Sequence, residues 1–141
     1  MATRKKSPGG STKASERLRA AGLRPTRQRR LLADLLFQHG HRHVTAELLH
    51  QEARDAGYPV SLATVYNALH QFTDAGLLQQ VIVEPSHSYF DTNIDPHQHF
   101  YEEDAGRLTD ISADISVSGL PQPPKGTKIQ RIDVVVRIRR A

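Results

Sequence analysis

His97-Gln98-His99 sets two imidazoles one residue apart in a chain of 141 residues that contains no cysteine. In a strand, alternate side chains leave the same face and sit roughly 7 Å apart, so both rings could converge on one ion. Without thiolates, any metal would be held by nitrogen and oxygen alone, a donor set suited to Fe(II), Mn(II) or Zn(II). A bare His-x-His pair is more often a wet polar strand than a metal site, so the spacing alone is weak evidence. The missing cysteines exclude disulfides, thiolate catalysis, iron–sulfur clusters and structural zinc of the Cys type.

A second group of candidate residues is basic and polar. Arg24, Arg27, Arg29 and Arg30 crowd the first turns of a predicted helix, where cations oppose the macrodipole and call for another explanation. Thr64, Asn67 and Gln71 share one face of a later helix and offer hydrogen-bonding groups without charge, which suits base edges. Lys plus Arg outnumber Asp plus Glu by 19 to 15, a formal charge of +4 that fits a polyanionic partner.

Capping and periodicity outline the elements that must carry these residues. Residues 1–14 combine basic side chains with Ser, Gly, Thr and Pro, which predicts a disordered basic tail. Ser15 is read as the cap of a short helix carrying Leu18. Pro25-Thr26 starts a second helix with Leu31, Leu32, Leu35 and Leu36 on its apolar face. Thr45 caps a third, with Leu48, Leu49 and Ala53 inward, and Ser61 caps a fourth that runs to Asp74 with Val65, Leu69 and Phe72 as its buried stripe. Leu77 to Val83 and Ser88 to Asp91 then alternate as a hairpin about Glu84-Pro85-Ser86-His87. Helices followed by a β-hairpin predict a winged helix-turn-helix, with the fourth helix as the recognition element; a bundle with a wet polar face is the alternative.

Beyond Asn93 the character changes. His99 to Glu103 and Leu108 to Ile111 read as strands, Ser112 to Leu120 as a short helix, and Ile132 to Ile138 as a last alternating strand. Three strands and one helix bury little alone, which predicts pairing with a second copy. The expected fold class is α+β: a winged-helix domain over 15–91, a hinge over 92–96, and a small α/β dimerisation and sensing domain over 97–141. No apolar run approaches the length of a membrane span, so a cytoplasmic protein without a membrane partner is expected.

The run Leu23-Arg24-Pro25-Thr26-Arg27-Gln28-Arg29, then His43-Val44-Thr45-Ala46-Glu47, then Ser61-Leu62-Ala63-Thr64-Val65-Tyr66 and Asp74-Ala75-Gly76-Leu77, resembles the ferric uptake regulator family. The resemblance implies metal or haem control of transcription by a homodimer on double-stranded DNA. Carried over by position, it implies a sensing site of His43, Asp91, His97, His99 and Asp110. A metal held by both domains would stabilise the relative orientation that fits it best, which is what a switch requires. For DNA it implies Tyr66 against a thymine methyl, Asn67 on a base edge, and Ser61 and Thr64 on phosphate near a helix N-terminus. Arg24 would enter a narrow minor groove of an A·T-rich pseudo-palindromic operator, with Arg27 and Arg30 on phosphates.

Departures from the family pattern are informative. Glu102 and Ala105 stand where many members have Cys-x-x-Cys, so that structural zinc is not expected. The absence of cysteine, Ser88-Tyr89-Phe90-Asp91-Thr92-Asn93 and the ending Arg131 to Arg140 resemble the iron response regulator branch, whose members resemble haem-responsive repressors and controllers of iron metabolism. Ser7-Pro8 replaces that branch's Cys-Pro haem motif, leaving His97 and His99 as candidate haem ligands. Two rival readings stand beside a regulator: a non-haem metalloenzyme using a two-histidine-one-carboxylate site, and a metal-independent DNA-binding protein.

Overall fold

The computed structural model describes residues 12–141, in two compact units divided in the chain between Ile94 and Asp95. The expected basic tail lies outside the described residues as far as residue 11. From Thr12 the chain is already helical, so α1 (Thr12–Ala20) starts before Ser15, which is buried inside the helix and does not cap it.

The first unit continues with α2 (Arg27–Phe37), β1 (His43–Val44), α3 (Ala46–Asp55), α4 (Leu62–Asp74), β2 (Gln79–Glu84) and β3 (His87–Asp91). Three helix starts are local chemistry. The side-chain oxygens of Thr26, Thr45 and Ser61 accept from the backbone N–H groups of Arg29, Leu48 and Thr64, each satisfying a donor the helix cannot. At the other end of α4, Gly76 takes φ +83°, and Leu77 N–H reaches back to the Phe72 carbonyl. A side chain at Gly76 would resist that left-handed turn. Leu18, Leu32, Leu36, Leu49, Val65, Leu69, Phe72 and Phe90 are all fully buried and form one core. Leu48 departs from expectation: it is 44% exposed, because α3 buries only Leu49 and its partners on that side.

The sheet of this unit has the order β1-β3-β2, antiparallel throughout. Val81 and Val83 point inward while Ile82 between them is exposed, the period of two that a half-buried strand requires. Helices α3 and α4 with the β2–β3 hairpin form the winged helix-turn-helix.

In the second unit β4 (Gln98–Glu102) pairs antiparallel with β5 (Arg107–Ile111) and parallel with β6 (Val135–Ile138), in the order β5-β4-β6. Tyr101 and Leu108, cross-strand partners, are both buried. The expected helix over Ser112 to Leu120 does not form. Its serines and aspartate offer the backbone competing hydrogen bonds, Ile115 and Val117 are β-branched, and Gly119 sits at φ +75°. The last strand is also shorter than expected. Ahead of Val135 the Gln98 side chain takes over as a rung: its Oε1 accepts from Val134 N–H at 2.6 Å and its Nε2 donates to the Ile132 carbonyl at 3.5 Å.

Candidate metal centre and nucleic-acid interface

The five metal candidates fall into two sets, one in each unit. In the first, β1 lies beside β3 in a register that sets His43 opposite Asp91. His43 Nε2 is 3.1 Å from Asp91 Oδ2, and Asp91 Oδ1 accepts from Asn93 N–H at 2.9 Å. Asp91 is only 1% exposed, so this carboxylate is held by defined partners in the interior.

The two-residue strand β1 is anchored by a neighbour that sequence reasoning passed over. Arg42 N–H donates to Thr92 Oγ1 at 2.8 Å, and Thr92 N–H donates to the Arg42 carbonyl at 3.1 Å, extending the ladder past His43 and Asp91. The Arg42 guanidinium forms a fork on Glu52 of α3 and also donates to the Leu35 carbonyl. This ties the His43 segment to the helix-turn-helix.

In the second unit His99 stands opposite Asp110 in the β4–β5 ladder, and His97 immediately precedes β4. The rings of His97 and His99 lie 4.5 Å apart between centroids, closer than strand alternation alone would set them. Their Nε2 atoms are 3.3 and 3.4 Å from the same oxygen, Asp110 Oδ1. His97 Nδ1 bonds to the Asp95 carbonyl, which can only accept, so Nδ1 carries the hydrogen and the Nε2 of the neutral ring presents a lone pair. A lone pair facing a carboxylate oxygen is favourable only with a proton or a cation between them. The donors in each set, imidazole nitrogen and carboxylate oxygen, fit a divalent first-row metal.

The DNA candidates lie on α2, α4 and the segment before α2. Arg24 and Arg27 are exposed, while Arg30 is half-buried and its Nε is buried with no hydrogen-bond partner among the described residues. Ser61 Oγ donates to Thr64 Oγ1 at 2.9 Å, so these two hydroxyls already cooperate at the start of α4. Asn67 is exposed on the face it was expected to occupy. Tyr66 is half-buried against the core and stacked on His70 at 5.9 Å, which makes packing a part of its role. Arg29, read only as one of a basic cluster, is engaged within the protein: Nε and Nη2 donate to Gln71 Oε1 at 3.2 and 3.0 Å, and Nη1 donates to the Arg24 carbonyl at 2.9 Å. No local sequence signal marks that contact.

Comparison with known proteins gives a consistent answer. Residues 20–136 match the profile of the ferric uptake regulator family. The chain is 37% identical over 98 residues to the ferric uptake regulation protein of Shigella flexneri, covering 69% of this chain and 66% of that one. It is also 37% identical over 95 residues to the peroxide-responsive repressor of Staphylococcus aureus, covering 67% and 63%. The matched region thus spans just under two thirds of the length of these curated relatives. Among solved structures, the ferric uptake regulator of Vibrio cholerae superposes with a TM-score of 0.70 at 25% identity, over 89% of this chain and 98% of that one. The Pseudomonas aeruginosa regulator with manganese gives 0.67 at 25% identity, over 90% and 97%.

Proposed function

The chain belongs to the ferric uptake regulator family, and on that premise we propose that it is a homodimeric transcription regulator whose binding to double-stranded DNA is governed by a divalent metal. The proposed ligands are His43, Asp91, His97, His99 and Asp110. The observation that carries this reading is the convergence of the His97 and His99 Nε2 atoms on Asp110 Oδ1, an arrangement of nitrogen and oxygen donors that a divalent metal would satisfy in place of protons. A bound metal would supply a positive centre for these nitrogen and oxygen donors. The chain's own residues do the rest: Asp95 orients His97 through Nδ1, Asn93 holds Asp91, and Arg42 carries the position of β1 to Glu52 on α3. The manganese in the P. aeruginosa relative supports a divalent metal.

DNA recognition is assigned to α4, the first turn of α2 and the segment before α2, with Asn67, Tyr66, Ser61 and Thr64 at the recognition helix and Arg24, Arg27 and Arg30 on the backbone and minor groove. The proposed operator is A·T-rich and pseudo-palindromic, as a two-fold dimer requires. Dimerisation is supported by Ile115, Val117, Leu120 and Ile129, which are 39–49% exposed in the second unit and would be covered by a second copy. No described helix is long and apolar enough to cross a membrane, and we place the protein in the cytoplasm with its operator.

Within the family we assign the chain to the iron response regulator branch, acting as a repressor on genes of iron and haem metabolism. The absence of cysteine and the Ser88 to Asn93 segment support that assignment. Haem, bound through His97 or His99, is the alternative effector. Mobility shifts of iron- and haem-gene promoters with apo, manganese-loaded, iron-loaded and haem-loaded protein test the proposal. Binding that changes with one of these ligands is expected, and no binding in any state would overturn it.

A further inference from the structure

The contact between Arg29 and Gln71 spans 42 residues and joins the N-terminal turn of α2 to the last turn of α4. Arginine has five donors and no acceptor, so the atom of Gln71 that faces it must be the amide oxygen. With Nε and Nη2 both on that oxygen, the amide plane is set and Nε2 is turned away from Arg29. Among the described residues Nε2 of Gln71 makes no hydrogen bond, and neither does the exposed amide of Asn67 one turn earlier on the same face. Gln71, Asn67 and Thr64 line one groove with Thr26 and Gln28 of the α2 start. A glutamine free to rotate offers a base edge either a donor or an acceptor; this one offers only a donor.

The same guanidinium reaches a second place. Nη1 donates to the Arg24 carbonyl, in the segment that precedes α2. One planar group therefore holds the Arg24 segment at a set distance from the α4 face. Lysine, with a single ammonium on a flexible stem, could not hold both partners in one plane.

We propose that Arg29 is a positioning residue that restricts Gln71 to donating toward acceptor atoms on base edges, and that it fixes the spacing between the Arg24 segment and α4. The reading rests on the assignment of α4 to DNA. In the major groove the acceptors are O6 and N7 of guanine, N7 of adenine and O4 of thymine, whereas cytosine presents a donor. Gln71 should therefore discriminate against cytosine on the strand it faces.

Selection of bound sequences from a randomised duplex library by the full chain, with and without Mn(II), provides the test. Glu at position 71 still accepts from Arg29 but has no outward donor, so Gln71→Glu should keep wild-type thermal stability and shift one position of each half-site toward cytosine. Arg29→Lys should relax the preference at that position and weaken the selected site by about tenfold, while affinity for unselected duplex changes by less than about twofold. At the base position that Gln71 faces, the double variant Arg29→Ala/Gln71→Ala should lose no more specificity than Gln71→Ala alone. A wild-type protein that enriches no sequence overturns both the DNA reading and this inference. A wild-type preference that Gln71→Glu and Arg29→Lys retain unchanged overturns this inference alone.

Discussion

His43 and Asp91 face each other across the β1–β3 ladder, with His43 Nε2 3.1 Å from Asp91 Oδ2 and the carboxylate 1% exposed. A buried carboxylate is stable only while its oxygens are engaged, and here Asn93 N–H serves one and His43 the other. The same oxygens are proposed to meet a metal, so this pair links apo-state stability to ligand binding.

Replacing Asp91 by alanine should therefore destabilise the apo protein by about 2 kcal/mol, because the carboxylate that engages Asn93 N–H and His43 in the interior is removed. Asp91→Asn retains an oxygen for Asn93 and should cost less than half as much. Both should weaken metal binding by at least about tenfold. Urea denaturation and competition with a chelator measure the two effects separately; a metal affinity equal to wild type in both variants would remove Asp91 from the ligand set.

Protons should compete with the metal. A protonated imidazole has no lone pair to donate, so metal affinity should fall as the pH is lowered. The decline should steepen with the number of histidines engaged, and His97→Ala or His99→Ala should make it shallower. Metal titrations between about pH 5 and pH 8 measure it. Undiminished affinity at the acid end is the outcome that rejects histidine ligation.

Arg42 offers a stability prediction independent of metal. Its guanidinium and Glu52 are 23% and 28% exposed, and its fork on that carboxylate joins the β1 segment to α3. Arg42→Ala should cost about 1–3 kcal/mol, since it leaves Glu52 and the Leu35 carbonyl without that donor. Glu52→Gln, which keeps an acceptor, should cost less. Equal midpoints of denaturation for wild type and Arg42→Ala would show that the fork contributes nothing.

On the DNA face, position and charge should separate. Arg27 is exposed, and Arg27→Ala should weaken operator and non-operator duplex alike, lowering the salt dependence of binding by about one counterion. Asn67→Ala should leave stability within about 0.5 kcal/mol of wild type and reduce operator preference. Fluorescence anisotropy over a salt series distinguishes the two behaviours. A loss of preference in Arg27→Ala with none in Asn67→Ala would reverse the assignment.

Local chemistry made much of the scaffold legible. Thr26, Thr45 and Ser61 were readable as caps because the donor each satisfies lies three residues away. Val65, Leu69 and Phe72 were readable as a buried stripe because helical periodicity is carried in the chain itself. The His97–His99 spacing pointed to nitrogen and oxygen ligation, since the chain has no cysteine, whereas His43, Asp91 and Asp110 entered only through the family resemblance. Ser15 misled for the same local reason: a capping residue type does not announce whether a helix has already begun.

Tertiary structure alone decided which distant groups meet. The register that sets His43 opposite Asp91, the Arg42 pairing with Thr92 fifty residues on, and the Arg29 grip on Gln71 have no local signature. It also let the Gln98 side chain replace the first rungs of β6. Propensity and capping act over a turn of chain, whereas ladder register and side-chain pairing depend on how buried surfaces fit once the chain has closed on itself.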